Sequence, residues 1–116
     1  MEKVKFTERD GTLTAAIKGE LDHFLAASVR AQIDAEITGR RPSRFVLDVS
    51  GVSFMDSSGL GLIMGRYALC KSTETDFILS GADNRINKIL DMAGLLSVIS
   101  TDEKQKGADK IEKQTV

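Results

Sequence analysis

Asp56-Ser57-Ser58-Gly59 sets one carboxylate and two hydroxyls side by side just ahead of an apolar segment. A serine hydroxyl can do chemistry in two ways. As a hydrolytic nucleophile it needs a base, normally histidine, and a sharp turn of the G-x-S-x-G kind. Here the pattern is Asp-Ser-Ser-Gly and His23 is the only histidine, so an enzyme is not expected. As a phosphate acceptor it needs exposure and a place that tolerates new charge. A helix N-terminus provides this through its unpaired N–H groups and the positive end of its dipole. Phosphorylation there would spare the fold. It would add about −1.5 to −2 charges beside carboxylates and an apolar face, and so abolish docking of a complementary surface.

The other motifs are weaker. Gly59-x-Gly61-x-x-x-Gly65 has the look of a dinucleotide-binding turn, but the chain is too short for that fold and no acidic residue closes the next strand, Phe77-Ile78-Leu79-Ser80. No Gly-Lys-Ser/Thr follows a glycine-rich turn, so a P-loop is absent. Cys70 is the only cysteine, which rules out an intramolecular disulfide and a zinc cluster. No cofactor or metal is expected.

The elements that must position the serines follow from the flanking pattern. Phe45-Val46-Leu47-Asp48-Val49 is a near-continuous apolar run, as in a strand covered on both faces, and it leads in. Leu60, Leu62, Ile63, Met64, Tyr67, Ala68 and Leu69 make a helix of about three turns that leads out. One or two of Asp56, Ser57 and Ser58 cap that helix. If Ser57 is the cap, Ser58 is free for modification; if Asp56 is the cap, both hydroxyls are free. Arg66 is the only charge between Gly59 and Cys70, so apolar side chains must reach the outer face of the helix and meet a partner there. Gly59, Gly61 and Gly65 would each cost about 1 kcal/mol relative to Ala within a helix. Gly61 and Gly65 share a face, so they either permit close approach by a partner or ease packing against the sheet.

Upstream, Val4 and Phe6, then Leu13, Ala15 and Ile17, alternate with polar residues around Asp10-Gly11, which predicts an opening β-hairpin. After Gly19-Glu20-Leu21-Asp22, apolar residues from Phe24 through Leu25, Val29, Ile33 and Ile37 predict a helix capped by Asp22 or His23 and stopped at Gly39, before Pro42. Downstream, Phe77-Ile78-Leu79 is a short strand and Asp83 caps a helix with Ile86, Ile89, Leu90 and Ala93 as its buried stripe, ended by Gly94. Leu96 to Ser100 reads as a last strand, and about 101–116 as a polar tail, either a frayed terminal helix or disordered.

This order predicts one α/β domain over 1–116, a sandwich with a mostly parallel sheet of four to five strands opened by a hairpin and helices packed against it. In such a sheet Gly19 to His23, Ser50 to Ser58 and Ser80 to Arg85 are neighbours on the edge where ligands and partners meet the fold. Asp22, Asp56 and Asp83 would give that edge an acidic rim, unless they serve only as helix caps. A chain of 116 residues holds one core, and a net charge of −1 gives no footprint for nucleic acid or an anionic membrane. The N-terminus lacks an apolar signal core and no run approaches about 20 apolar residues, so a cytosolic protein is expected.

The stretch Leu47-Asp48-Val49 through Met55-Asp56-Ser57-Ser58-Gly59-Leu60-Gly61 resembles the STAS-domain anti-sigma-factor antagonists. Gly19-Glu20-Leu21-Asp22, Gly65-Arg66-Tyr67 and Ile89 through Leu95 extend the likeness to about Ser100. The resemblance implies a STAS-type fold and a protein that binds an anti-sigma factor and frees the sigma factor. It implies that the anti-sigma factor is a serine kinase that inactivates the antagonist at Ser58, and that a serine phosphatase restores it. The partner-binding residues expected on these grounds are Asp22, His23, Asp56, Ser57, Ser58, Gly59, Gly61, Leu62 and Gly65, on a chain that is a monomer when free. The alternative is a stand-alone STAS module of another stress-response partner-switching pathway, although the methionine start and short tail favour an independent regulator. A response-regulator receiver needs an acidic pair after the first strand and a lysine after the last. Phe6-Thr7-Glu8-Arg9 and Val98-Ile99-Ser100 supply neither.

Overall fold

The computed structural model describes residues 3–101. The expected tail beyond Thr101 lies outside the described residues. Strands β1 (Val4–Arg9) and β2 (Thr12–Leu21) form the opening antiparallel hairpin, with Asp10 and Gly11 both at positive φ in its turn. Helix α1 (His23–Arg40), strand β3 (Arg44–Met55), helix α2 (Ser57–Ser72), strand β4 (Asp76–Ser80), helix α3 (Asn84–Met92) and strand β5 (Ser100–Thr101) follow. The five strands lie in the order β1-β2-β3-β4-β5, with every pair after the hairpin parallel. This is the mostly parallel α/β sheet that the sequence predicts. Successive right-handed crossovers in one direction put the three helices on one face. There Leu13, Ile17, Phe45, Leu47 and Leu79 of the strands share a core with Val29, Ile33, Ile37, Ile63 and Leu90 of the helices.

Four boundaries differ from expectation, each for a local reason. The strand begun at Phe45 does not end at Val49. It runs to Met55, because β2 continues past Gly19 to Leu21 and offers a ladder partner throughout, with register shifts near Ile17 and between Gly19 and Glu20. Ser50 to Met55 is therefore strand, not loop. Helix α1 passes through Gly39 and ends when Arg41 takes the left-handed conformation (φ 48°), its N–H bonded to the Ile37 carbonyl at 2.9 Å. Pro42 then blocks any continuation. Ala93 is the exposed C-cap of α3 and not part of its buried stripe. Between Gly94 and Ile99 the chain makes turns, with Val98 and Ile99 N–H groups bonded back to the Leu95 carbonyl, so only Ser100 and Thr101 remain for the last strand.

Candidate partner-docking site

Three parallel strands, β2, β3 and β4, end at one edge, and each is followed by a helix whose first N–H groups are capped by an aspartate. Asp22 Oδ1 accepts from Leu25 N at 3.0 Å, Asp56 Oδ1 from Ser58 N at 2.8 Å and Gly59 N at 3.4 Å, and Asp83 Oδ1 from Ile86 N at 3.0 Å. All three carboxylates are thus held as caps on the same rim. The segments expected to be neighbours do meet. Leu21 pairs with Met55, which sets Asp22 beside Asp56, and Arg85 donates from Nη2 to the Ser53 carbonyl at 3.1 Å. The Ile86 N–H, helped by Arg85, holds the Asp83 carboxyl below its ordinary range.

Asp56 as cap decides between the alternatives for the serines. Ser57 opens α2 and is exposed, Ser58 is half-buried, and neither side-chain hydroxyl makes a hydrogen bond among the described residues. Both lie at the N-terminal end of a 16-residue helix, whose dipole favours an added anion. From Ser57 the outward stripe continues through Gly61, Met64 and Ala68, all exposed and uncharged. Met64 is 47% exposed, so apolar surface does reach the outer face as expected.

The three glycines of α2 separate into two kinds. A methyl group at Gly59 would collide with the Met55 side chain and sit 3.1 Å from Leu21 Cδ2. Gly59 is therefore buried because β2 and β3 press against the first turn of the helix. At Gly61 and Gly65 an added methyl would meet nothing within 4 Å. Packing against the sheet does not require them. Leu62, also expected on the docking surface, is 3% exposed and belongs mainly to the core. His23 is exposed at the start of α1, its ring edge-on to Phe24 with centroids 5.6 Å apart.

Two features of the region were not foreseen. Phe24, where the apolar pattern of α1 begins, is 81% exposed, and Phe54 at the end of β3 is 48% exposed, so two aromatic rings flank the aspartate rim. The signal for Phe24 was its spacing: Ala26, Val29, Ile33 and Ile37 form the stripe, and residue 24 falls off it. Arg66 is 7% exposed and turns toward α1, where its Nε lies 2.8 Å from Asp34 Oδ1. The oxygen sits off the N–H direction, so the two charges are paired but neither atom completes a hydrogen bond, and Nη1 is buried without one. Burial lowers the Arg66 pKa, and Asp34 counters it.

Residues 3–108 match the family model of the STAS domain. The chain is 34% identical over 97 residues to the anti-sigma F factor antagonist of Paenibacillus polymyxa, covering 84% of this chain and 83% of that one. It is 29% identical over 104 residues to the anti-sigma-B factor antagonist of Bacillus subtilis, covering 90% and 92%. Among solved structures it superposes on the Bacillus cell fate determinant SpoIIAA in the phosphorylated form, with TM-score 0.69 and 25% identity over 93% of this chain and 98% of the other. The unphosphorylated form of the anti-sigma factor antagonist SpoIIAA gives TM-score 0.74 at 24% identity over 95% and 96%. With the family model spanning all of the described residues and the sheet order, caps and serine turn in place, the chain belongs to the STAS domain family.

Proposed function

We propose that this chain is a cytoplasmic anti-sigma-factor antagonist whose docking surface is switched by phosphorylation of Ser58. In the unphosphorylated form the exposed stripe of α2, the aspartate rim and the residues around Ser57 and Ser58 bind an anti-sigma factor, which then releases its sigma factor. The anti-sigma factor, acting as a kinase, transfers the γ-phosphoryl group of ATP to the Ser58 Oγ, and ADP leaves. A serine phosphatase hydrolyses the phosphoserine and restores binding. In support, relatives are named anti-sigma F and anti-sigma-B factor antagonists, and the structural neighbour SpoIIAA has been solved in a phosphorylated form.

The observation that carries the reading is the Asp56 cap. Because the carboxylate occupies the Ser58 and Gly59 N–H groups, the Ser58 hydroxyl is left unbonded at the positive end of α2. A phosphoryl group there would gain from the helix dipole, so the fold survives while about −1.5 to −2 charges appear beside Asp56 and Asp22. The test is intact-mass and fragmentation analysis after incubation with the purified anti-sigma factor of the same organism and ATP. One phosphoryl group on Ser58, with loss of the complex, is expected. Modification of Ser57 alone, or a phosphorylated chain that still binds, would overturn the reading.

A further inference from the structure

A groove of about 360 Å³ runs between α1 and α2 from Ser58 to Arg66. Its floor is made of small residues, Ala26 and Ala27 on one helix and Gly61 and Gly65 on the other. The charges that line it are cationic: Arg30, exposed and without an ion pair among the described residues, and Arg66. Arg66 is more than nine-tenths buried, its Nε paired with Asp34 at 2.8 Å and its Nη1 without a hydrogen-bond partner. Both guanidinium groups line the same groove, so an anion between them would offset their like charge. No carboxylate lines the groove, and Asp34, the ion-pair partner of Arg66, lies beyond that lining. The space above Gly61 and Gly65 is open.

We propose that this groove receives an acidic segment of the anti-sigma factor, with an aspartate or glutamate carboxylate between Arg30 and Arg66 and its backbone lying against Gly61 and Gly65. The inference rests on the antagonist function proposed above and adds the chemistry of the partner surface. Arg30 presents an exposed guanidinium fork that suits a carboxylate, and the open space at Gly61 and Gly65 lets a main chain come within contact distance. The aspartate rim calls for a basic counterpart on the partner and the groove for an acidic one. The two charges together fix the direction in which the partner lies across α2.

The experiment is calorimetric titration of the purified anti-sigma factor against wild type, Arg30→Glu and Gly65→Ala, with thermal unfolding of each variant alone. Arg30→Glu is expected to weaken binding roughly 10- to 100-fold with an unchanged Tm, and reversal of an acidic residue on the partner to lysine should recover most of the loss. Gly65→Ala is expected to raise Tm by roughly 2–6 °C, as alanine favours the helix, while weakening binding. Wild-type affinity in both variants would overturn the groove and leave the antagonist function standing. A wild-type chain that does not bind the anti-sigma factor would overturn both.

Discussion

The guanidinium of Arg66 in α2 lies 2.8 Å through Nε from Oδ1 of Asp34 in α1, and this ion pair ties together the two helices that flank the serine turn. Removing the acidic partner leaves a buried cation uncompensated, whereas removing the arginine leaves a carboxylate that is 39% exposed and can hydrate. Asp34→Ala is expected to cost about 1–3 kcal/mol in urea unfolding, discounted from a fully buried pair because Asp34 reaches water. Arg66→Met should stay within about 1 kcal/mol of wild type.

Ser58→Ala should bind the anti-sigma factor and resist inactivation, because the cap is Asp56 and no helix N–H loses its partner. Ser58→Asp should weaken the complex, although by less than a phosphoserine, which carries more charge. Tight binding by Ser58→Asp in a surface-plasmon measurement would count against switching by charge.

Gly59→Ala should destabilise the fold by roughly 1–3 kcal/mol, since the new methyl group must displace the Met55 side chain against Leu21. Denaturant titration of this variant beside Gly61→Ala separates the two kinds of glycine. The second should unfold at the same or higher denaturant concentration.

Asp83 has its pKa lowered in the folded chain by the Ile86 N–H and by Arg85. A folded value below the unfolded one of about 3.9 means that the cap contributes fully above that pH and is lost as pH falls through the folded value. Asp83→Asn keeps an acceptor at the cap but cannot titrate. In thermal scans from pH 6 downward, the difference between wild type and variant should shrink as the solution becomes acid.

Cys70 is fully buried, and burial raises its thiol from 9.0 to about 11. At pH 8 that shift alone lowers the thiolate fraction roughly 100-fold. Alkylation by iodoacetamide should therefore be slower than for a free thiol by at least this factor in the native chain and become fast in urea. Rapid native labelling would contradict the packing of the α2 C-terminal half.

Periodicity made the hairpin, the three helices and the parallel sheet legible before the structure, because a half-buried strand and an amphipathic helix each repeat a pattern along the chain. Asp22, Asp56 and Asp83 were legible as caps for a related reason: capping is local chemistry, read three residues at a time. What escaped were the non-local terms. The extension of β3 through Ser50 and Ser53 depends on β2 lying alongside, which residues 50–55 do not encode by themselves. Arg66 counts as an exposed charge until Asp34, 32 positions earlier in the sequence, is brought beside it. The exposure of Phe24 follows from the α1 stripe, which runs through Ala26, Val29, Ile33 and Ile37 and leaves residue 24 outside it.

The sheet order β1-β2-β3-β4-β5 also has a consequence for how the chain acquires its shape. Each strand pairs with the one synthesised just before it, so loop-closure entropy is spent in short steps and no pairing waits for a distant segment. The hairpin can form first, and each later strand can dock on the edge left open by its predecessor as it leaves the ribosome. No strand has to be inserted between two that are already paired. An order of assembly that matches the order of translation keeps each exposed sheet edge short-lived.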